Sequence, residues 1–218
     1  MKTIQWYEEW FDSPYLILVA KKMNAILSFD EWLFNIINQD LHNSFLDAIM
    51  PIWRDKKTWI PLYVGLLIFL IYRFQWKGLV LAAFIGLTAG VADFTSSKLI
   101  KESVQRLRPC NDPDLQEQVE LLVRCGSGYS FTSSHATNHF AIAMFIVFTL
   151  GIVYPKIKWP FILWAASIAL GQVYVGVHYP IDIFVGALVG SLIGWLISRL
   201  YFSFPYLSIK TEKKTLNE

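Results

Sequence analysis

The residues of this chain best suited to chemistry fall in three short clusters. In GVHYPID, His178 and Asp182 stand four positions apart with Pro180 between them. Tyr179 precedes a proline and is biased away from helix, while Pro180 fits the first position of one. Asp182 then lies in the first helical turn, where the macrodipole favours a carboxylate, and His178 lies just outside it. A carboxylate in reach of an imidazole fixes its tautomer and strengthens it as a nucleophile or base. The plainer alternative is a capping aspartate beside an interfacial histidine.

The second cluster is KESVQRLRP, in which Lys101 and Arg108 are seven residues apart. That spacing is close to two helical turns, so both side chains project from one face until Pro109 ends the helix. Either cation alone could be an anchor that snorkels to the membrane surface. Together they make a clamp for an anion, Arg by its fork and Lys as a point charge. The third cluster, FTSSH, leads directly into an apolar helix. Ser133 and Ser134 suit an N-cap, and free N–H groups at such a terminus bind phosphate. His135 stands in the first turn beside them, and capping alone does not require a histidine.

These clusters need a scaffold, and the composition points to a bilayer. Of 218 residues, 55% are apolar and only 17% are charged, against about 45–50% and about 25% in ordinary soluble domains. Mean hydropathy is +0.41. The net charge of +2 gives no electrostatic footprint for nucleic acid. Apolar runs cover 59–74, 78–100, 136–154, 159–177 and 181–202, with Trp and Tyr at several edges. A weaker segment, 25–53, carries apolar residues at helical spacing among several polar ones. The expected fold is therefore all-α, a polytopic membrane bundle of about six helices with an extracytoplasmic loop between the third and fourth. Residues 1–24 read as a polar or interfacial segment, 25–203 as the membrane domain and 204–218 as a polar tail. No removable signal peptide is evident, so the first spanning helix would direct insertion.

With both termini inside, eleven Lys and Arg residues fall on the inner side and eight on the outer, a weak positive-inside bias. Arg54, Lys56 and Lys57 sit awkwardly with that orientation. The long loop, 106–131, shares the outer face with the His178 turn and holds both cysteines. Cys110 and Cys125, closing a short loop outside the cytosol, point to a disulfide; two free thiols are the alternative.

Lys101-x6-Arg108-Pro109, Ser133-Ser134-His135 and His178-x3-Asp182 together resemble the signature of the type-2 phosphatidic acid phosphatase superfamily, the membrane lipid phosphatases. That signature reads K-x6-R-P, P-S-G-H and S-R-x5-H-x3-D. The resemblance implies that His178 attacks phosphorus and becomes a phosphohistidine, with Asp182 orienting it. It implies that His135 protonates the leaving lipid oxygen and then activates water. Lys101, Arg108 and the Ser133–His135 backbone would hold the phosphoryl oxygens, a division suited to a transition state that spreads charge over them. No cofactor and no metal is implied. The partners would be the bilayer and a lipid phosphate substrate: an isoprenyl diphosphate, phosphatidylglycerol phosphate, phosphatidic acid or lipid A. The chain would sit in the cytoplasmic membrane with its site on the extracytoplasmic side.

The sequence departs from the signature in two places. Thr132 and Ser134 replace the proline and glycine of the second motif, and Ser134 is acceptable there if its φ is not positive. Gly171-Gln172 replaces S-R, so Gln172 can offer phosphate a hydrogen bond but no charge; Arg106 or Arg124 could supply it. Two rival readings follow. A weak or inactive family member could act as a lipid-binding or transport protein. Alternatively, His135 and His139, with His178 and Asp182, could hold zinc, although HATNH lacks the glutamate of HExxH.

Overall fold

Residues 14–209 are described by a computed structural model, and every regular element among them is helical. The principal elements are α1 (Pro14–Asn35), α2 (Ser44–Trp53), α3 (Ile60–Phe94), α4 (Ser134–Phe148), α5 (Lys158–Tyr174) and α6 (Pro180–Phe202). The helix that carries α3 runs on through Thr95–Ile100 to a last turn at Lys101–Val104.

α3 is a hairpin rather than one rod. Gln75 sits at φ 51°, ψ −130°, outside helical geometry. A Cβ on Gly78 would lie 2.0 Å from the carbonyl oxygen of Leu70, whereas eight residues of straight helix span about 12 Å. The chain therefore reverses at Gln75, separating the apolar runs 59–74 and 78–100. Gly78 is the residue that permits the approach.

α4 and α6 form the centre of the bundle. Gly186, Gly190 and Gly194 recur every four residues along α6, so they form one smooth stripe. A Cβ would come within 2.9 Å of the Ser133 oxygen at Gly186, 2.2 Å of the Thr137 oxygen at Gly190 and 2.4 Å of the Ala141 oxygen at Gly194. Small residues let two backbones meet this closely, which is how helices associate where lipid removes the hydrophobic drive. The adjoining core joins Leu70, Phe74 and Leu81 of the α3 hairpin to Phe145 and Ile146 of α4, Trp164 and Ile168 of α5, and Tyr201 of α6.

Outside this core, large apolar side chains such as Ile68, Leu79, Phe184, Leu188 and Leu192 are exposed. Apolar exposure on this scale marks a surface made for lipid. Among the described residues, Lys56–Val104, which folds back on itself at Gln75, and Pro180–Phe202 are long and apolar enough to cross a membrane.

Two sequence expectations need correction. The segment 25–53 is two helices, not one weak span: α1 is already helical at Pro14, and a break precedes α2. Asn43 makes that break, because its Oδ1 accepts the Leu46 N–H at 3.0 Å as an N-cap. The helix bearing Lys101 also ends at Val104, with Gln105 left-handed at φ 54°, well before Pro109. Arg108 is extended (φ −78°, ψ 152°), as expected for the residue before a proline. Lys101 and Arg108 thus do not share a helical face, and only the folded loop brings them together.

The glycine stripe gives a direct test of this packing. Gly190→Ala should destabilise the protein by about 1–3 kcal/mol, the range for overpacking a close contact. Gly65→Ala, where nothing lies within 4 Å of the new Cβ, should not lower the midpoint. Thermal unfolding in detergent distinguishes the two.

Candidate active site

The site is assembled from three chain segments around the N-terminus of α6. Pro180 occupies the first turn, and the Tyr179 N–H donates to Asp182 Oδ2 at 2.9 Å. His178, only 2% exposed, lies in the turn just before the helix. Its Nδ1 is 3.5 Å from Asp182 Oδ2. Ser130 bridges the pair: its Oγ lies 3.2 Å from His178 Nδ1 and donates to Asp182 Oδ2.

On the other side of the ring, Arg108 Nη1 is 3.2 Å from His178 Nε2. Arginine can only donate, so Nε2 must present its lone pair, and the ring proton belongs on Nδ1 facing Asp182. Burial pushes the imidazole down to about 4, which keeps it neutral at ordinary pH. The result is an uncharged ring with its free lone pair directed at a cation-lined space.

That space is a cavity of about 620 Å³ lined by Arg54, Lys101, Arg108, Arg124, His135 and His178, among others. The cations are fixed chiefly by neutral oxygens. Lys101 Nζ donates to the carbonyls of Tyr129 (2.5 Å) and Ser130 (3.1 Å). Arg108 donates to those of Gly128 (2.8 Å) and Val177 (3.0 Å). Because carbonyls hold these groups without cancelling their charge, the cavity keeps a positive field suited to an anion. A disulfide joins Cys110 to Cys125 within the loop that carries Arg108 and Ser130.

Ser133 caps α4, its Oγ accepting the Ala136 N–H at 3.4 Å. Its own N–H donates to the Asp182 carbonyl at 3.1 Å, tying α4 to α6 and removing that donor from the cavity. Ser134 and His135 lie on the cavity wall. Ser134 is helical and is not among the residues with positive φ, so a side chain is tolerated at that position. Ser134 and His135 also border a second, apolar cavity of about 470 Å³ between the legs of the α3 hairpin and α4, lined by Leu66, Leu67, Leu70, Ala82, Ile85 and Ala89.

Gln172 stands apart from its sequence-based assignment to phosphate. It is fully buried, its amide nitrogen and oxygen have no hydrogen-bond partner, and it is not on the cavity wall. Nor is Arg106 free to replace it. Arg106 Nη1 bonds Asp182 Oδ1 at 3.0 Å, and Nη2 bonds Asp30 Oδ2 at 2.7 Å. The guanidinium also lies 3.7 Å over the Tyr179 ring. Asp30 in turn accepts the Ile181 N–H at 2.7 Å, so α1 is fastened to the start of α6.

The zinc arrangement finds no geometric support. His139 Nδ1 is 2.8 Å from the His135 carbonyl, and Nε2 faces Tyr63 Oη at 3.5 Å. Among the described residues, no three His, Cys, Asp or Glu side chains converge to hold an ion.

Ser130, Asp30 and the pairing of Arg106 escaped the sequence reading. Asp30 had a signal, a carboxylate within an otherwise membrane-seeking helix. Ser130 had none, being one serine in a loop.

A lone-pair-bearing histidine beside a carboxylate and facing a cation-lined cavity is an arrangement suited to phosphoryl transfer. The comparisons with known proteins agree. Residues 77–205 match the family model described as the PAP2 superfamily. A lipid A 4'-phosphatase of Bacteroides thetaiotaomicron is 32% identical over 80% of this chain and 77% of its own. An undecaprenyl-diphosphatase of Sulfolobus acidocaldarius is 29% identical over 91% and 90%. Among solved structures, a transmembrane PAP2-type phosphatidylglycerolphosphate phosphatase from Bacillus subtilis matches with a TM-score of 0.61 at 25% identity, covering 87% of this chain and 92% of that one. The chain belongs to the PAP2 superfamily, and it is an integral membrane protein.

Two predictions follow from the electrostatics. Burial disfavours the His178 cation only in the folded state, so between about 6.5 and about 4 the unfolded chain binds protons more tightly, and stability falls as pH drops through that window. An NMR titration of ring-labelled histidine, assigned by difference from His178→Gln, should show this ring protonating at about 4; a midpoint near 6.5 would contradict the account. Arg106→Ala leaves two buried carboxylates uncompensated and should cost about 3–5 kcal/mol. Arg106→Lys should recover only part, since it cannot form the fork.

Proposed function

We propose that this PAP2 enzyme removes a phosphoryl group from a membrane lipid through a phosphohistidine on His178. The observation that carries the reading is the His178 ring itself, with Nδ1 facing Asp182 and Ser130 and Nε2 directed into the basic cavity. The relatives support the coarser part: the chain is a lipid phosphoric-ester hydrolase, as its curated relatives are named phosphatases.

In the first step His178 Nε2 bonds to phosphorus as the bond to the lipid oxygen breaks. His135, which borders both cavities, gives that oxygen its proton. In the second step water attacks the phosphohistidine, His135 takes the water proton, and inorganic phosphate leaves. Lys101, Arg108 and the Ser134–His135 end of α4 hold the equatorial oxygens, where preorganised donors contribute most. Arg108, whose Nη1 lies 3.2 Å from Nε2, would shift to the phosphoryl group as it enters. The apolar cavity beside His135 suits the hydrocarbon of the same substrate.

Among the lipids considered, the phosphate of lipid A has the best support, since relatives named lipid A 4'-phosphatase cover most of this chain at 32% and 30% identity. Prenyl diphosphates come second, through relatives named undecaprenyl-diphosphatase at 29% and 30% identity. The disulfide loop beside the cavity favours the extracytoplasmic side, because disulfides persist in oxidising compartments.

Phosphate release should be measured for the purified protein on lipid A, undecaprenyl diphosphate, phosphatidylglycerol phosphate and phosphatidic acid. Wild type should hydrolyse lipid A best, and His178→Ala should release no phosphate above background. Wild-type silence on all four lipids would overturn the reading in favour of a lipid-binding protein.

A further inference from the structure

The third family motif carries an arginine where this chain has Gln172, and Gln172 does not reach the cavity. A site that must hold a phosphoryl group in its transition state has then lost one charge-assisted donor from this wall, a loss worth about 10²–10³ in rate. The surrounding residues suggest where a replacement comes from. α2 ends at Trp53, and the next residue, Arg54, turns inward beside the C-terminal turns of α5. A Cβ placed on Gly171 would meet Arg54 Cβ at 3.4 Å and Met50 Sδ at 3.8 Å. The stem of Arg54 therefore packs directly on the turn that bears Gly171 and Gln172.

From there Arg54 reaches the basic cavity, whose wall it shares with Lys101, Arg108, His135 and His178. The side chain makes no hydrogen bond or ion pair with the described residues, and its Nε is buried without a partner. Leaving such a donor unsatisfied is costly, and burial together with the neighbouring Arg108 charge pushes the guanidinium down from its ordinary value. A phosphoryl group against the guanidinium would offset the burial and the repulsion from Arg108. Arg106 cannot serve, because two carboxylates neutralise it.

We infer that Arg54 is a phosphate-binding residue of the active site, supplying from just past the end of α2 the charge that the family motif places at position 172. This rests on the phosphatase reading above. It also accounts for a cation where the positive-inside pattern does not call for one. The bland alternative is a C-terminal cap, since a cation beside the last carbonyls of α2 is favoured by the helix dipole. A cap would affect stability and leave anion binding alone.

The test compares wild type, Arg54→Ala, Arg54→Lys, Gln172→Arg, the double variant Arg54→Ala/Gln172→Arg, and Arg124→Ala. Two readouts are taken, phosphate release from lipid A and binding of inorganic vanadate by calorimetry, with thermal midpoints as the folding control. Arg54→Ala should lose about 10²–10³ in kcat/KM and bind vanadate at least about tenfold more weakly, with Arg54→Lys in between. Gln172→Arg should bring no gain in the wild-type background, where Arg54 already holds the place. It should recover at least about tenfold in the double variant, as one restored charge-assisted contact allows. The inference is overturned if Arg54→Ala binds vanadate as wild type does, or if the double variant binds it no better than Arg54→Ala. It is equally overturned if Arg124→Ala, and not Arg54→Ala, carries the loss. Wild type that binds vanadate but hydrolyses no lipid would sink the phosphatase reading and leave the Arg54 result standing on vanadate alone.

Discussion

A carboxylate with essentially no exposure must be neutralised from every direction, and the environment of Asp182 follows from that constraint. Oδ1 takes the Arg106 guanidinium, while Oδ2 takes the Ser130 hydroxyl and the Tyr179 N–H and faces His178 Nδ1. Each partner arrives from a different place. Arg106 and Ser130 come from the disulfide loop, Tyr179 and His178 from the turn before α6, and Asp30 of α1 adds a second carboxylate to the same arginine. The main-chain oxygen of Asp182 also accepts the Ser133 N–H and so sets the start of α4. One buried charge thereby fixes the relative positions of α1, α4, α6 and the loop, the segments that carry the proposed nucleophile and acid.

The same arrangement separates two kinds of cation. Arg106 is cancelled by its carboxylates and serves the framework. Lys101 and Arg108 are held by carbonyl oxygens and retain their charge toward the cavity. An enzyme that binds a phosphoryl group needs both kinds. Framework charges must be satisfied before substrate arrives, and substrate-facing charges must remain available. The apolar cavity against His135 and the exposed apolar surface of the helices suit the proposed reading, in which a lipid would present its phosphate to this polar centre.

Much of this was legible in the sequence, for physical reasons that differ by element. The Tyr-Pro pair fixed the start of α6, because a proline can only open a helix and the residue before it avoids one. Ser133 was readable as a cap because few residue types satisfy free N–H groups. The family resemblance added the identity of the chemistry. The Lys101–Arg108 spacing misled, since seven residues fit two helical turns but equally fit a helix end followed by a folded loop, and periodicity cannot distinguish them. A left-handed Gln105 leaves no mark in composition. Ser130 and Arg54 were hidden because their roles depend on contacts with Asp182 and Gly171, 52 and 117 positions away; Asp30 was visible as a carboxylate in an apolar helix, but its partner Arg106, 76 positions on, was not.

The claim on which the account rests is that the phosphoryl group passes through His178. Rapid acid-free quenching of the enzyme with lipid substrate labelled in the scissile phosphate, followed by proteolysis and mass spectrometry, tests it directly. The account predicts a base-stable, acid-labile phosphoryl adduct on the peptide containing His178 of the wild-type enzyme, absent in His178→Ala. Wild-type turnover with no adduct, or an adduct on another residue, would contradict it.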